Sequence, residues 1–179
     1  MRTARFNSKV SCQRNDSGWT VRGYGAVFYN PTDPGTEFRM TERHAERILP
    51  GAFDDADLSD IRSMFNHDPN QVLGRTPDTM RIGIDDTGVW YETDLDPVNP
   101  VHAHVASSVE RGVVDGSSIW FYMDRSGEGM ERRDENGVIV SEIRSVASVM
   151  EMGPVTVPAY DSATSAIRSQ YSRDYDQSL

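Results

Sequence analysis

Apolar and polar positions alternate with a two-residue period along most of this chain, and the alternation is punctuated by short turn signals. "TMRIGI" (79–84) puts Met80, Ile82 and Ile84 on one side of an extended segment, "DDTG" turns the chain, and "VWYETDL" (89–95) returns, which predicts a hairpin. "RFNSKVSCQR" and "WTVRGYGAVF" flank "NDSG" and predict another over 5–29. Gly23 and Gly25 would weaken its second strand, so a bulge or a close backbone approach is expected there. "IRSMFNHD" (61–68) reads as a strand with Ile61, Ser63, Phe65 and His67 on one face and Arg62, Met64 and Asn66 on the other, stopped by Asp68-Pro69-Asn70. "SSIWFYMD" (117–124) reads as a strand with Ser118, Trp120 and Tyr122 on one face and Ser117, Ile119, Phe121 and Met123 on the other. Residues 138–152 supply one or two further strands, and "GPVTVPAY" closes the fold.

Helical spacing is clearest at 99–112. Asn99 suits the N-cap, Pro100 the first helical position and Gly112 the residue after the end, while Val101, Val105 and Val109 recur every four residues as a buried stripe. "TERHAERIL" (41–49) also reads as a helix, with Thr41 as cap and Glu42 in the first turn, ended by Pro50-Gly51; "AFDDADLSD" predicts a short second one. Residues 125–137 are polar and read as a mobile loop, and 161–179 as a polar, Ser-rich tail. Many short strands with frequent turns predict a β-dominated α+β fold: a small, partly open barrel or a sandwich flanked by two to three helices, one domain over 1–160.

Charge narrows the function. Lys and Arg number 18 against 28 Asp and Glu, a net charge of -10, which opposes binding to nucleic acid or to an anionic membrane surface. A single cysteine, Cys12, excludes an internal disulfide and a cysteine-based zinc site and fits a reducing compartment. No apolar leader is visible in "MRTARFNSKVSCQRND" and no run is long enough to span a bilayer, so the expectation is a soluble intracellular protein.

Four histidines are available. His44 falls in the predicted helix among charges. His102 and His104 are two apart on a helix and point about 200° away from each other, so they cannot chelate one metal from that helix. His67 ends a strand at a turn, where the backbone holds it and a ligand can reach it; the plainer reading is a capped surface turn. The paired hydroxyls of Ser117 and Ser118 enter a strand after "ERGVVDG". A nucleophilic serine needs a base, a group to orient that base, and donors for an oxyanion. Two hydroxyls simply bonded to backbone at a strand start is the plainer reading here.

Several stretches, in order, resemble the phage prohead (capsid maturation) serine protease family, which is related in fold to the herpesvirus capsid maturation protease. They are "GYGAVF" (23–28), "ILPGAF" (48–53), "MFNHDPNQVLGRT" (64–76), "ERGVVDGSSIWF" (110–121) and "VMEMGPVTVPAY" (149–160), together covering about 20–160. The resemblance implies a herpesvirus-protease-like barrel and a serine endopeptidase without metal or cofactor. Its substrate would be scaffold, or a scaffold-like extension of the major capsid protein, digested inside the assembling prohead in the host cytoplasm. It also implies self-cleavage, for which the 161–179 tail is the candidate, and allows a homodimer. Carried over by position, the nucleophile falls on Ser118 and the base on His67. The third member is Glu151 or Asp68, and Asp68 is disfavoured because a sequence neighbour rarely curls back to Nδ1. Gly74 and Arg75 of "LGRT" are candidates for the oxyanion and substrate region, with a surface ion pair as the plainer role for Arg75. Two departures stand out. Trp120 replaces an expected glycine on Ser118's own face, where it would wall a substrate site or crowd it, and Gly153-Pro154 replaces a serine and an apolar residue. The departure at Trp120 sustains an alternative: an assembly protein of the same fold, with weak or no activity, that binds capsid or scaffold. A metal hydrolase built on His44, His102 or His104 is a more distant one.

Overall fold

A computed structural model describes residues 10–16, 18–123 and 129–157. Within them the chain forms β1 (Ser11–Asn15), β2 (Gly18–Val27), β3 (Phe38–Thr41), β4 (His44–Ile48), β5 (Arg62–Met64), β6 (Val72–Arg75), β7 (Met80–Ile84), β8 (Gly88–Leu95), α1 (Pro100–Glu110), β9 (Gly116–Met123), β10 (Met130–Glu135), β11 (Val138–Ile143) and β12 (Val146–Val155). The strands make three open four-stranded sheets, ordered β1-β2-β8-β7, β10-β11-β4-β3 and β6-β5-β12-β9. The fold is thus β-dominated α+β, as the alternation predicts. The described strands do not close into a barrel, and α1 is the one α-helix among the described residues, where two to three were expected. No described helix is long and apolar enough to cross a membrane.

The β1–β2 and β7–β8 hairpins form as expected, although residues 5–9 lie outside the described part. Helix α1 carries its cap as predicted: Asn99 Oδ1 accepts the Val101 N–H at 2.9 Å, and Gly112 beyond the end takes a left-handed φ of 66°. Val105, Ala106 and Val109 are buried, and α1 packs on β1, β2 and β8.

The expected helix over 41–49 is instead the turn and second strand of the β3–β4 hairpin. Charged residues that resemble a solvated helical face are strand positions, and Arg47 among them is buried. Its guanidinium bonds to both Glu135 oxygens at 2.9 and 2.8 Å and to Glu37, and lies over the Tyr29 ring at 4.4 Å. That cage satisfies the charge, which alternation alone could not reveal. The short helix expected after Pro50 is a run of turns tied to β12 by the Asp57–Ser148 bridge. Part of the loop expected over 125–137 is β10, paired in register with β11.

The core lies between the first sheet and the β6-β5-β12-β9 sheet. Ile61, Leu73, Met80, Val89, Tyr91, Ile119 and Met152 are all buried in it. Gly23 and Gly25 of β2 permit the close approach: a Cβ at Gly23 would strike Ser117 Oγ and Tyr91, and one at Gly25 would press Met152 at 3.0 Å. The expected bulge is also present, as a register shift between Tyr24 and Ala26. β9, the strand carrying the serine pair, is therefore clamped between β2 on its inner face and β12 at its side.

Candidate active site

β12 runs antiparallel to β9 with Gly153 opposite Ser118 and Glu151 opposite Trp120. Residues directly opposite in a ladder point to the same side, as do residues two apart in one strand. Ser118, Trp120, Glu151 and Gly153 thus share the outer face. Ser117 is on the inner one, where its Oγ meets Tyr91 Oη at 2.8 Å. Both serines are buried, but they differ in partnership: Ser118 Oγ has no hydrogen-bond partner among the described residues.

β5 lies on the other side of β12, parallel to it, with Arg62 beside Glu151. The strand expected over 61–68 ends at Met64, because Asn66 and His67 take left-handed φ values of 55° and 58°. The alternation that would put His67 on Ser63's face breaks there. His67 Nδ1 instead meets Glu151 Oε2 at 2.5 Å, on the outer face with Ser118. Glu151 is 1% exposed, and burial pushes its carboxyl above the usual range, with the adjacent imidazole pulling it back in part. When Glu151 is ionised it can only accept, so His67 Nδ1 is the donor in this contact, and a neutral imidazole then has its lone pair on Nε2. Asp68 points elsewhere: its Oδ1 accepts from Asn70 N at 2.8 Å and its Oδ2 from Gln71 Nε2 at 2.9 Å.

Gly153 is required by this packing. A Cβ there would strike the Met64 carbonyl, so only glycine lets β5 lie this close to β12 and deliver His67 beside Glu151. Trp120 is half-buried on the same face, and Tyr122, two residues on, is 40% exposed.

The "LGRT" segment pairs with β5 and not with β9. It forms β6, three strands from β9, and three strand spacings amount to about 14 Å. Arg75 is ion-paired with Asp60 at 2.7 Å on the surface, and Gly74 packs against Thr93 and Thr79. Gly74 and Arg75, expected in the oxyanion or substrate region, thus stand next to β5 and three strands from β9. The remaining histidines are also apart. Both ring nitrogens of His102 are engaged by backbone, Nδ1 accepting from Asp96 N and Nε2 donating to the Val72 carbonyl, each at 3.0 Å. His44 is exposed beside Thr41, and His104 packs edge-on to Phe65. Among the described residues no three His, Cys, Asp or Glu gather in a way that could hold a metal ion.

A buried serine hydroxyl, an imidazole and a buried carboxylate on one sheet face are the groups that acyl transfer requires. The family model described as Caudovirus prohead serine protease matches residues 6–178. The chain belongs to that family. No curated protein and no solved structure matches it. As a prohead serine protease family member it carries its serine pair, its Asn-His-Asp turn and its Glu151 segment within the matched span. Sequence reasoning missed the Tyr91–Ser117 bond and the need for glycine at 153. Both depend on which strands become neighbours, which no local pattern encodes.

Proposed function

We propose that this protein is a serine endopeptidase of prohead maturation in which Ser118 is the nucleophile, His67 the general base and Glu151 the group that orients the imidazole. The observation that carries the reading is the His67 Nδ1–Glu151 Oε2 contact on the same sheet face as Ser118. Ser118 Oγ would attack the scissile carbonyl while His67 Nε2 takes its proton, and the resulting imidazolium would then protonate the leaving amine. Glu151, buried and close, stabilises the positive imidazole during that exchange. Ser118 Oγ has no bond to His67 in the free protein. Such contacts commonly tighten when substrate excludes water, and a hydroxyl with no competing partner loses nothing in turning toward the imidazole.

The substrate in this reading is scaffold, or a scaffold-like extension of the major capsid protein, cut inside the assembling shell, with self-cleavage in the C-terminal segment. Residues 161–179 lie outside the described part. An extended peptide laid beside β9 would meet Trp120 and Tyr122 next to the nucleophile, so large apolar side chains near the scissile bond suit the site. Co-expression with the neighbouring capsid gene product, followed by N-terminal sequencing of that product, tests the reading. A new N-terminus that appears with the wild-type protein and not with Ser118→Ala is expected. An identical product from both would refute it.

A further inference from the structure

We propose that Asn66 is the positioning residue of the site. By locking a left-handed turn against the end of β12, it sets the direction in which the His67 side chain leaves the backbone. The inference rests on the reading of His67 as the base.

Two consecutive non-glycine residues at positive φ, Asn66 at 55° and His67 at 58°, form an uncommon backbone that persists only where contacts hold it. The contacts that hold it tie the turn to itself, to the end of β12 and to the residue just beyond it. Asn66 N donates to the Pro154 carbonyl at 3.1 Å. Asn66 Oδ1 accepts from Thr156 N at 2.8 Å and from Thr156 Oγ1 at 3.1 Å. Asp68 N closes the turn on the Phe65 carbonyl at 3.1 Å. The imidazole then reaches Glu151 on the same β12 that presents Gly153 to Ser118. Without the Asn66 side chain the turn would keep its backbone bond to Pro154 but lose its tie to Thr156, and with it the force that keeps residue 67 from relaxing to ordinary φ. Asn66 is exposed, so its bonds add little to global stability. Their effect should therefore appear in catalysis rather than in the melting temperature.

Three variants of the full chain separate backbone from side chain. Asn66→Gly keeps left-handed freedom and loses the acceptor, Asn66→Ala loses both, and Asn66→Asp keeps both. For cleavage of a capsid-protein substrate, Asn66→Ala and Asn66→Gly are expected to lower kcat about 10- to 100-fold with KM changed less than about twofold. Asn66→Asp should stay within about threefold of wild type in kcat, and all three should melt within a few degrees of it. A second readout does not need activity. In the Ser118→Ala protein labelled with 15N-histidine, the low-field proton resonance of His67 Nδ1 should be present, abolished by Glu151→Ala, shifted or lost in Asn66→Ala, and restored in Asn66→Asp. An Asn66→Ala protein with unchanged kcat and an unchanged resonance would overturn the inference while leaving the proteolytic reading intact. So would losses that track the melting temperature and are not rescued by Asp. If the wild-type chain cleaves nothing, the function is wrong, and the resonance alone decides whether Asn66 positions the ring.

Discussion

Glu151 Oε2 sits 2.5 Å from His67 Nδ1 although eighty-four residues separate the two in the chain. The carboxylate belongs to a central strand and is almost fully buried, whereas the imidazole stands on a turn at the end of the neighbouring strand. Burial raises the Glu151 carboxyl more than the imidazole lowers it, so the folded protein holds that proton more tightly than the unfolded chain does. The stability this gives is fully present below the ordinary glutamate value of 4.5 and is lost as pH rises through the higher folded value. At neutral pH the ionised group is therefore a cost that catalysis requires. Glu151→Gln, which keeps an acceptor for the His67 N–H, should melt higher than wild type near about pH 8, with the gap closing toward acid pH. Its kcat should fall by about a hundredfold or more. A variant that melts several degrees lower at every pH would contradict this.

The two serines should respond in opposite ways. Ser118 Oγ is buried without a partner among the described residues, so Ser118→Ala removes an unsatisfied group and should leave the melting temperature equal or raised while cleavage stops. Ser117→Ala strands the buried Tyr91 hydroxyl and should cost about 1–3 kcal/mol by denaturant unfolding. Assayed where it is folded, it should keep most of its cleavage rate. An exchange of these two patterns would assign the nucleophile to Ser117.

Gly153→Ala drives a methyl into the Met64 carbonyl and must push β5 away from β12. We expect a loss of about 1–3 kcal/mol. Cleavage should fall further than stability accounts for, because the His67 turn moves with β5. Denaturant unfolding and kcat measured on the same preparation check both parts.

Trp120 shares a face with Ser118 and is half-buried beside it. As a wall for bound peptide it should be needed for binding more than for chemistry, so Trp120→Ala should raise KM roughly tenfold with a smaller change in kcat. A rise in kcat/KM would instead mean that the indole crowds the site.

Much of this was legible in the sequence, and the failures have physical causes. The hairpins, α1 with its Asn99 cap and Gly112 stop, and the opposite faces of Ser117 and Ser118 follow from local periodicity and turn chemistry. The β4 segment read as a helix because Thr41, Glu42 and Pro50-Gly51 supply the start and stop signals of one; carboxylates from β10, β11 and the segment before β3 explain the buried arginine there. His67 read as continuing Ser63's face because nothing in the alternation announces two left-handed residues, although Asn66 is among the residues that tolerate that conformation best. Gly74 and Arg75 were singled out by the resemblance of "LGRT" to a family segment and not by any local pattern. The sheet order, which no local pattern encodes, puts β6 beside β5 and three strands from β9.

The most direct test of the account is the rate at which capsid protein is cleaved by Ser118→Ala, by His67→Ala and by the double variant, each verified to be folded. Groups that act as one unit lose nearly everything with the first removal, so the three should share one residual rate, about a thousandfold or more below wild type. Cleavage that persists near the wild-type rate in either single variant, or losses that multiply in the double, would contradict a shared role for the two residues.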